Sequence, residues 1–131
     1  MALAKLIPSA LAATALVAAL PAAAANEKGE AKLAKLIDGR VAGKPVRCLD
    51  TSQRRNLEVV DRTALVFKDG DTYYVNRPAG AEFLSWSDIP VFEIWGGQLC
   101  QLDMVRLHDR STGMRGPTLS MGEFVPYKRA G

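Results

Sequence analysis

The sequence contains one histidine, His108, and two cysteines, Cys48 and Cys100, that could take part in nucleophilic chemistry. A cysteine nucleophile needs a free thiolate within hydrogen-bond reach of an imidazole. Side chains alternate between the two faces of an extended segment, which places His108 on the same face as Arg106. Because that face carries a charge, we expect His108 to lie on the surface near a turn.

Carboxylates flank the histidine at Asp103 and Asp109, and Cys100 could join them as a metal ligand. Zinc sites usually have three or four nitrogen or sulfur ligands, which one histidine and one paired cysteine do not supply. Asp69 and Asp71 bracket a glycine, but a calcium loop needs further oxygen ligands at set spacing. We therefore expect Asp103 and Asp109 to cap turns, and we predict no metal site and no cofactor.

Acidic and aromatic side chains could form a site for a sugar or a peptide. Glycoside hydrolysis uses a pair of carboxylates, but nothing in the spacing selects a pair such as Glu82 and Glu93 from the 14 acidic residues. Aromatic residues of a small β-domain more often lie in its core than on a binding surface, and we expect the core position here. The aromatic residues concerned are Tyr73, Tyr74, Trp86, Phe92 and Trp95.

The segment 1–25 has the pattern of a secretory signal peptide. Lys5 gives it a positive start, Leu6 to Leu20 is apolar, and Pro21 precedes a run of small residues typical of a cleavage site. The apolar run of about 15 residues is shorter than the ~20 that span a bilayer. We predict cleavage after Ala25, a periplasmic or secreted product, and no stable membrane anchor after cleavage.

The remaining 106 residues, from Asn26 to Gly131, are enough for one domain with its own core. They carry 16 basic and 14 acidic side chains, a net charge of +2, and the two signs are interleaved along the chain. This balance does not favour a polyanionic partner. We therefore expect no nucleic-acid binding.

Cys48 and Cys100 are expected to form a disulfide. Oxidising compartments favour pairing, and an even number of cysteines leaves none over. The bridge would close a loop of about 52 residues and would stabilise the fold by roughly 4 kcal/mol through its constraint on the unfolded chain. The alternative is one reactive and one buried thiol.

The clearest structural signal is the stretch from Ala64 to Asn76. Two runs rich in Val, Tyr, Phe and Thr flank Asp69-Gly70, which is a strong hairpin signal. We predict a hairpin with these two residues as its loop, so that Lys68 faces Asp71. Apolar residues on both faces predict that the hairpin is covered on both sides.

Further strands and one helix are predicted around this hairpin. Leu33, Leu36 and Ile37 fall at helical spacing and Asp38-Gly39 ends the helix. Six or seven short strands predict a mainly β domain, an antiparallel β-barrel or sandwich with one short N-terminal helix after the signal peptide. Loops are expected at 83–90 and 111–117. The predicted segments are a signal peptide at 1–25, a helix and linker at 26–44, a β-domain at 45–127 and a basic tail at 128–131. Besides the two strands of the hairpin, strands are predicted at 46–49, 57–61, 91–95, 103–107 and 123–127.

A set of short motifs runs through most of the chain from Cys48 to Tyr127. The motifs are Cys48-Leu49, Asp61 before the hairpin, Tyr74 to Arg77, Leu99-Cys100 with Asp103, and Gly122 with Phe124 to Tyr127. Together with the signal peptide, they resemble a family of small exported proteins from Gram-negative bacteria, catalogued as a domain of unknown function. Members often carry four cysteines, and the two that are missing here would lie near Ala81 and Leu119. The resemblance implies an exported β-fold in which Cys48 and Cys100 are the remaining pair, and it implies no activity.

The combined interpretation is a small periplasmic or secreted β-domain that acts as a non-catalytic binding or envelope-support module. Its expected partner is an envelope protein or a glycan. The alternative is a small periplasmic hydrolase whose site the sequence does not reveal. A cleft that holds His108 beside a carboxylate and a free thiol would favour the enzyme.

Overall fold

The computed structural model describes residues 26–130, so the predicted signal peptide at 1–25 and the last residue lie outside the described residues. Within this range the chain forms one α-helix, ten strands and a short 3₁₀ helix. The elements in chain order are α1 (Glu27–Leu36), β1 (Arg40–Ala42), β2 (Cys48–Leu49), β3 (Asn56–Val60), β4 (Ala64–Asp69), β5 (Thr72–Asn76), the 3₁₀ helix (Ala81–Phe83), β6 (Asp88–Phe92), β7 (Leu99–Cys100), β8 (Met104–Asp109), β9 (Arg115–Ser120) and β10 (Phe124–Arg129).

The strands form three antiparallel sheets. A five-stranded sheet has the order β1-β10-β5-β4-β3, a three-stranded sheet has the order β6-β8-β9, and β2 pairs with β7 in a short ribbon. The mainly β class is therefore confirmed. The sheets are not closed, so the arrangement fits the sandwich of the two predicted architectures. Among the described residues, no helix has the length and apolar character needed to cross a membrane.

Strand β4 lies at the centre of the core, and its first four residues, 64–67, are buried. Ala64 and Val66 pack in a cluster with Leu33 of α1. Leu65 and Phe67 point to the other face, where they join the side chains of the two smaller sheets. The hairpin is thus covered on both sides, as its apolar residues predict.

The loop of the hairpin lies one residue further along the chain than predicted. Asp69 pairs with Thr72 and Lys68 with Tyr73, so the loop residues are Gly70 and Asp71. Only Gly70 has a positive φ, of +56°, and glycine at the first loop position is the pattern of a type II′ turn. The expected pairing of Lys68 with Asp71 is wrong, because Lys68 lies opposite Tyr73, two residues further along the chain. A shift of two residues leaves each side chain on the predicted face of the sheet, because side chains alternate between the faces.

One strand begins earlier than predicted, and another lies where the sequence predicted a loop. Strand β6 covers Asp88–Phe92 instead of 91–95 and includes Pro90, whereas β9 begins inside the loop predicted at 111–117 and includes Pro117. Both prolines are placed where proline is tolerated, because β6 and β9 are edge strands and β9 has an irregular register between its pairs with Arg106 and His108. Strand β9 and the short strands β1 and β7, which the sequence did not predict, raise the strand count from the predicted six or seven to ten.

The two ends of the domain pair with each other. Val41 of β1 lies opposite Lys128 of β10, and Arg40 lies opposite Arg129. The predicted linker and basic tail thus both contribute to the five-stranded sheet. The guanidinium of Arg40 lies 3.8 Å from the ring centroid of Tyr73, which adds a cation–π contact to this pairing.

Asn76 and Gly122 form a buried polar contact between β5 and the turn before β10. The side chain of Asn76 donates to the carbonyl oxygen of Gly122 over 2.7 Å, and its oxygen accepts from the backbone N–H of Gly122 over 2.9 Å. A Cβ on Gly122 would lie 2.6 Å from the carbonyl oxygen of Arg77. Both residues belong to the motifs quoted for the family resemblance, and this contact gives them a structural role.

Candidate functional site

His108 lies on the outer face of the three-stranded sheet. Val105 and Leu107 of β8 are buried, while Arg106 and His108 point to the opposite side. His108 lies opposite Ile89 on β6. Its predicted position, away from the core and near a turn, is correct, since β8 ends at Asp109 and a turn follows.

Cys48 and Cys100 form the predicted disulfide. Their Cα atoms are 4.0 Å apart, since the two residues pair directly across β2 and β7. The alternative with free thiols is wrong. Since the chain has only these two cysteines, the bridged protein has no thiolate to pair with His108, and a disulfide fits a protein that folds outside the cytoplasm.

Asp103 and Asp109 cap turns, as predicted. A carboxylate oxygen of Asp103 accepts from the backbone N–H of Cys100 over 2.7 Å. Asp109 accepts from the backbone N–H groups of Ser111 and Thr112, and the bonds from Thr112 hold the pKa of Asp109 below its usual value. Within residues 26–130, no three His, Cys, Asp or Glu side chains are grouped as metal ligands would be.

The two acids considered for glycoside chemistry lie on different elements. Glu82 is exposed on the 3₁₀ helix, and Glu93 lies 3.8 Å from the guanidinium of Arg106 in an ion pair. The structure therefore gives Glu93 a partner on the outer sheet face. Neither acid lines the groove between β3 and β6 or the cavities on the five-stranded sheet.

The two tryptophans are exposed, which corrects the expectation that they belong to the core. Trp86 is 69% exposed and Trp95 is 81% exposed. Tyr73, Tyr74 and Phe92 are half-buried against the two core clusters. The reason is local: Trp95 precedes the Gly96-Gly97 turn, and Trp86 lies in the loop between the 3₁₀ helix and β6, where no second layer covers it.

Apolar side chains of the three-stranded sheet are exposed as well. Ile89 and Val91 of β6 and Met104 of β8 lie on the outer face of the three-stranded sheet. Arg106 and His108 of β8 lie on the same face. We call these five residues the outer face. It combines three apolar side chains with an arginine and a histidine and has no partner layer among the described residues.

A groove runs between the free edges of the two larger sheets. Strands β3 and β6 are both edge strands, and no backbone hydrogen bond joins them in the described residues. The space between them has a volume of about 300 Å³. We call it the edge groove; its lining residues are Lys32, Leu57, Glu58, Val59, Trp86, Asp88, Pro90 and Arg110.

The backbone that carries Trp86 is fixed on both sides. The N–H of Trp86 donates to the carboxylate of Asp61 over 2.6 Å. Leu84 is buried in the core, and its carbonyl oxygen accepts from the N–H of Arg62 over 3.0 Å. On the other side, the carbonyl oxygen of Ser87 accepts from the N–H of Arg110 over 3.1 Å. The indole is therefore an exposed group on an anchored loop.

Two further cavities lie on the five-stranded sheet. The larger, of about 400 Å³, includes Arg77 and Tyr127, but Arg77 is already held by Glu30 in a bidentate ion pair. The other, of about 310 Å³, lies near the β1 edge and includes Tyr74 and Lys128. Each of them includes one tyrosine, and of the three cavities only the edge groove includes a tryptophan.

No protein-family model, curated protein or solved structure matches this chain. The family resemblance stated from the motifs therefore stays a hypothesis. The functional interpretation depends on the exposed tryptophans, which sequence reasoning assigned to the core. Their neighbours carried a usable signal, because Gly96-Gly97 marks a tight turn and Ser85 and Ser87 flank Trp86 with polar side chains.

Proposed function

We propose that this protein is a periplasmic, non-catalytic binding module that contacts another component of the cell envelope through Trp86, Trp95 and the outer face. The disulfide supports a location in an oxidising compartment. The signal-peptide pattern at 1–25 supports export. The periplasm of a Gram-negative bacterium satisfies both conditions.

The exposure of the two tryptophans is the observation that carries this proposal. Both indoles remain on the surface, although burial of a large apolar side chain stabilises a fold by roughly 3 kcal/mol. The core is filled without them by leucines, valines, phenylalanines and Met121. Tryptophan is also enriched at the energetic centres of interfaces. Burial of these indoles against a partner would therefore stabilise a complex.

The family resemblance is compatible with this assignment. Gly80 lies against Leu119, since a Cβ on Gly80 would lie 2.7 Å from a methyl carbon of Leu119. Its neighbour Ala81 packs against the same core cluster. The two positions proposed for the missing cysteines therefore lie in one region of the core, which supports a second bridge replaced by apolar packing.

The proposal is tested by co-sedimentation of the purified mature protein with envelope fragments from Gram-negative cells. A double variant, Trp86→Ala with Trp95→Ala, is expected to lose most of its envelope retention. A matched control, Leu102→Ala with Met114→Ala, removes two equally exposed apolar groups elsewhere and is expected to retain it. Because all four side chains are exposed, unfolding free energies should stay within about 0.5 kcal/mol of the parent. Equal retention of both double variants would contradict the proposal.

A further inference from the structure

The edge groove combines one exposed indole with a balanced set of charges. Trp86 lies beside two bases, Lys32 and Arg110, and two acids, Glu58 and Asp88. The apolar remainder of the lining comes from β3 and from Pro90. Such a site offers an aromatic face together with both donors and acceptors, and it has no net charge with which to select an ion.

We propose that the edge groove binds a neutral glycan, with a sugar ring stacked on the indole of Trp86. This inference deepens the proposed binding function and rests on it. The C–H face of a pyranose ring is apolar and matches an indole, while its hydroxyl groups both donate and accept hydrogen bonds. Asp88 and Glu58 provide acceptors for those hydroxyl groups, and Arg110 provides donors.

The volume and the rigidity of the groove fit this ligand class. A volume of about 300 Å³ is at the lower end of the range of about 300–1,000 Å³ for small-molecule sites. The Trp86 backbone is held by Asp61 and by the buried Leu84. A ligand that stacks on this indole therefore has to order the Trp86 side chain but not the loop backbone, which favours affinity.

An added peptide strand fits the same groove less well. Pro90 lies in the middle of β6 and has no N–H to donate across the free edge. On the opposite edge, Glu58 carries ion pairs to Lys32 and Lys68 at 3.3 and 2.6 Å. Proline and charged residues are the usual means by which sheet edges resist strand addition. Recognition by side chains, as for a sugar, remains available.

The test uses the full mature protein with Trp95→Phe, which leaves Trp86 as the only tryptophan. Its fluorescence is followed during titration with three neutral probes: the β-1,4-linked tetramers of glucose and of N-acetylglucosamine, and the α-1,4-linked tetramer of glucose. At least one probe is expected to give a saturable change. Absence of a saturable change with all three would overturn the inference.

Calorimetric titration of variants locates the site. With the probe that binds, Trp86→Ala is expected to weaken affinity about tenfold or more, equivalent to about 1.4 kcal/mol. Asp88→Asn is expected to weaken it less, and Leu102→Ala, at an equally exposed position outside the groove, is expected to leave it within about twofold. Equal affinity of the Trp86→Ala variant and the parent would overturn the inference.

These outcomes separate the ligand class from the broader function. If envelope co-sedimentation depends on the tryptophans but no tetramer binds, the glycan inference fails and the binding function stands. If co-sedimentation is unaffected by the tryptophan variants, the proposed function itself fails. Protection of β3 amide hydrogens by extended decapeptides, without a saccharide response, would reassign the groove to a peptide and overturn the inference.

Discussion

At the scale of single residues, charged side chains on the sheet are organised around Glu58. This carboxylate lies between Lys68 of the neighbouring strand and Lys32 of α1, so it joins the helix to the edge of the five-stranded sheet. The hydrogen bond from Lys68 lowers the pKa of Glu58 most, and the bond from Lys32 adds to it, while burial acts in the opposite direction.

The pH dependence of stability follows from the direction of that shift. The folded-state pKa of Glu58 lies below the usual value of 4.5, so the unfolded state binds the proton more readily. Its contribution is present above the unfolded-state pKa and is lost as pH falls through the folded-state pKa. Glu58→Gln should therefore cost up to about 1 kcal/mol at neutral pH and less in acid.

Urea unfolding of the parent and the Glu58→Gln variant at pH 7 and near pH 3 checks this prediction. Glu82→Gln is the matched control, since Glu82 is an exposed glutamate on the 3₁₀ helix. The control should show little change at either pH. An equal cost of Glu58→Gln at both values would show that the ion pairs with the lysines contribute nothing.

The residue scale also shows where the sequence was sufficient and where it was not. Alternation along β8 correctly placed His108 opposite the buried face, and cysteine counting correctly paired Cys48 with Cys100. Trp86 and Trp95 were assigned to the core, because residue type alone does not tell a core aromatic from a binding aromatic. The outcome depends on whether other side chains have already filled the core.

At the scale of elements, the close approach of α1 to the turn between β3 and β4 depends on a glycine. Gly29 is buried in the helix, and a Cβ at this position would lie 1.8 Å from the hydroxyl oxygen of Thr63 and 2.6 Å from the carbonyl oxygen of Asp61. The second atom belongs to the backbone, so the helix itself would have to move. The position of Leu33 on the sheet would move with it.

Gly29→Ala tests whether packing or helix propensity has the larger effect on stability at this position. Propensity alone favours alanine by about 1 kcal/mol, whereas overpacking costs about 1–3 kcal/mol. We expect a net loss of stability in thermal unfolding. Ala34→Gly, at an exposed position of the same helix, measures the effect of helix propensity without packing. It should lower the unfolding free energy by about 1 kcal/mol. A more stable Gly29→Ala protein would show that α1 does not pack this closely.

The central hairpin offers a test that involves the backbone alone. Gly70 has a φ of +56°, and no atom lies within 4 Å of the position a Cβ would take. Gly70→Val should lower the unfolding free energy by about 1 kcal/mol or more, because β-branched residues are poorly tolerated at positive φ. Gly70→Asn should cost less, since asparagine adopts this conformation more readily. Unchanged melting temperatures for both would place the turn elsewhere.

Element boundaries were predictable where the pattern was strong. The helix, β3 and the hairpin strands were found within a few residues, because their spacing and turn signals agree. The sequence places the strand of β6 at 91–95, after Pro90, and predicts a loop where β9 begins, because Pro90 and Pro117 interrupt the strand patterns; only the sheet order shows that both are edge strands, where proline is tolerated. The loop position in the hairpin was missed because Asp69-Gly70 and Gly70-Asp71 are both acceptable turn pairs.

At the scale of the whole molecule, the disulfide joins the ribbon of β2 and β7 and thereby links the two halves of the chain. Its sequence separation is 52 residues. Reduction, or replacement of Cys48 and Cys100 by alanine, should lower the unfolding free energy by up to roughly 4 kcal/mol. Denaturant unfolding with and without reductant measures the change.

Mass spectrometry of non-reduced, alkylated protein from the periplasm provides the chemical check on the same prediction. The mature chain should begin near Asn26 and carry no alkyl group on either cysteine. Two alkylated cysteines would contradict the bridge. A retained N-terminal segment would contradict the predicted cleavage.

The exposed tryptophans give the molecule its proposed role, and photo-crosslinking in living cells tests that role most directly. A photoreactive residue replaces Trp86 or Trp95, and a control carries it at Val41, an exposed position on β1, which is the edge of the five-stranded sheet opposite β3. We expect adducts of higher mass from position 86 or 95 and none from position 41. The absence of adducts at both tryptophan positions, or the same adducts at all three positions, would contradict the proposed binding surface.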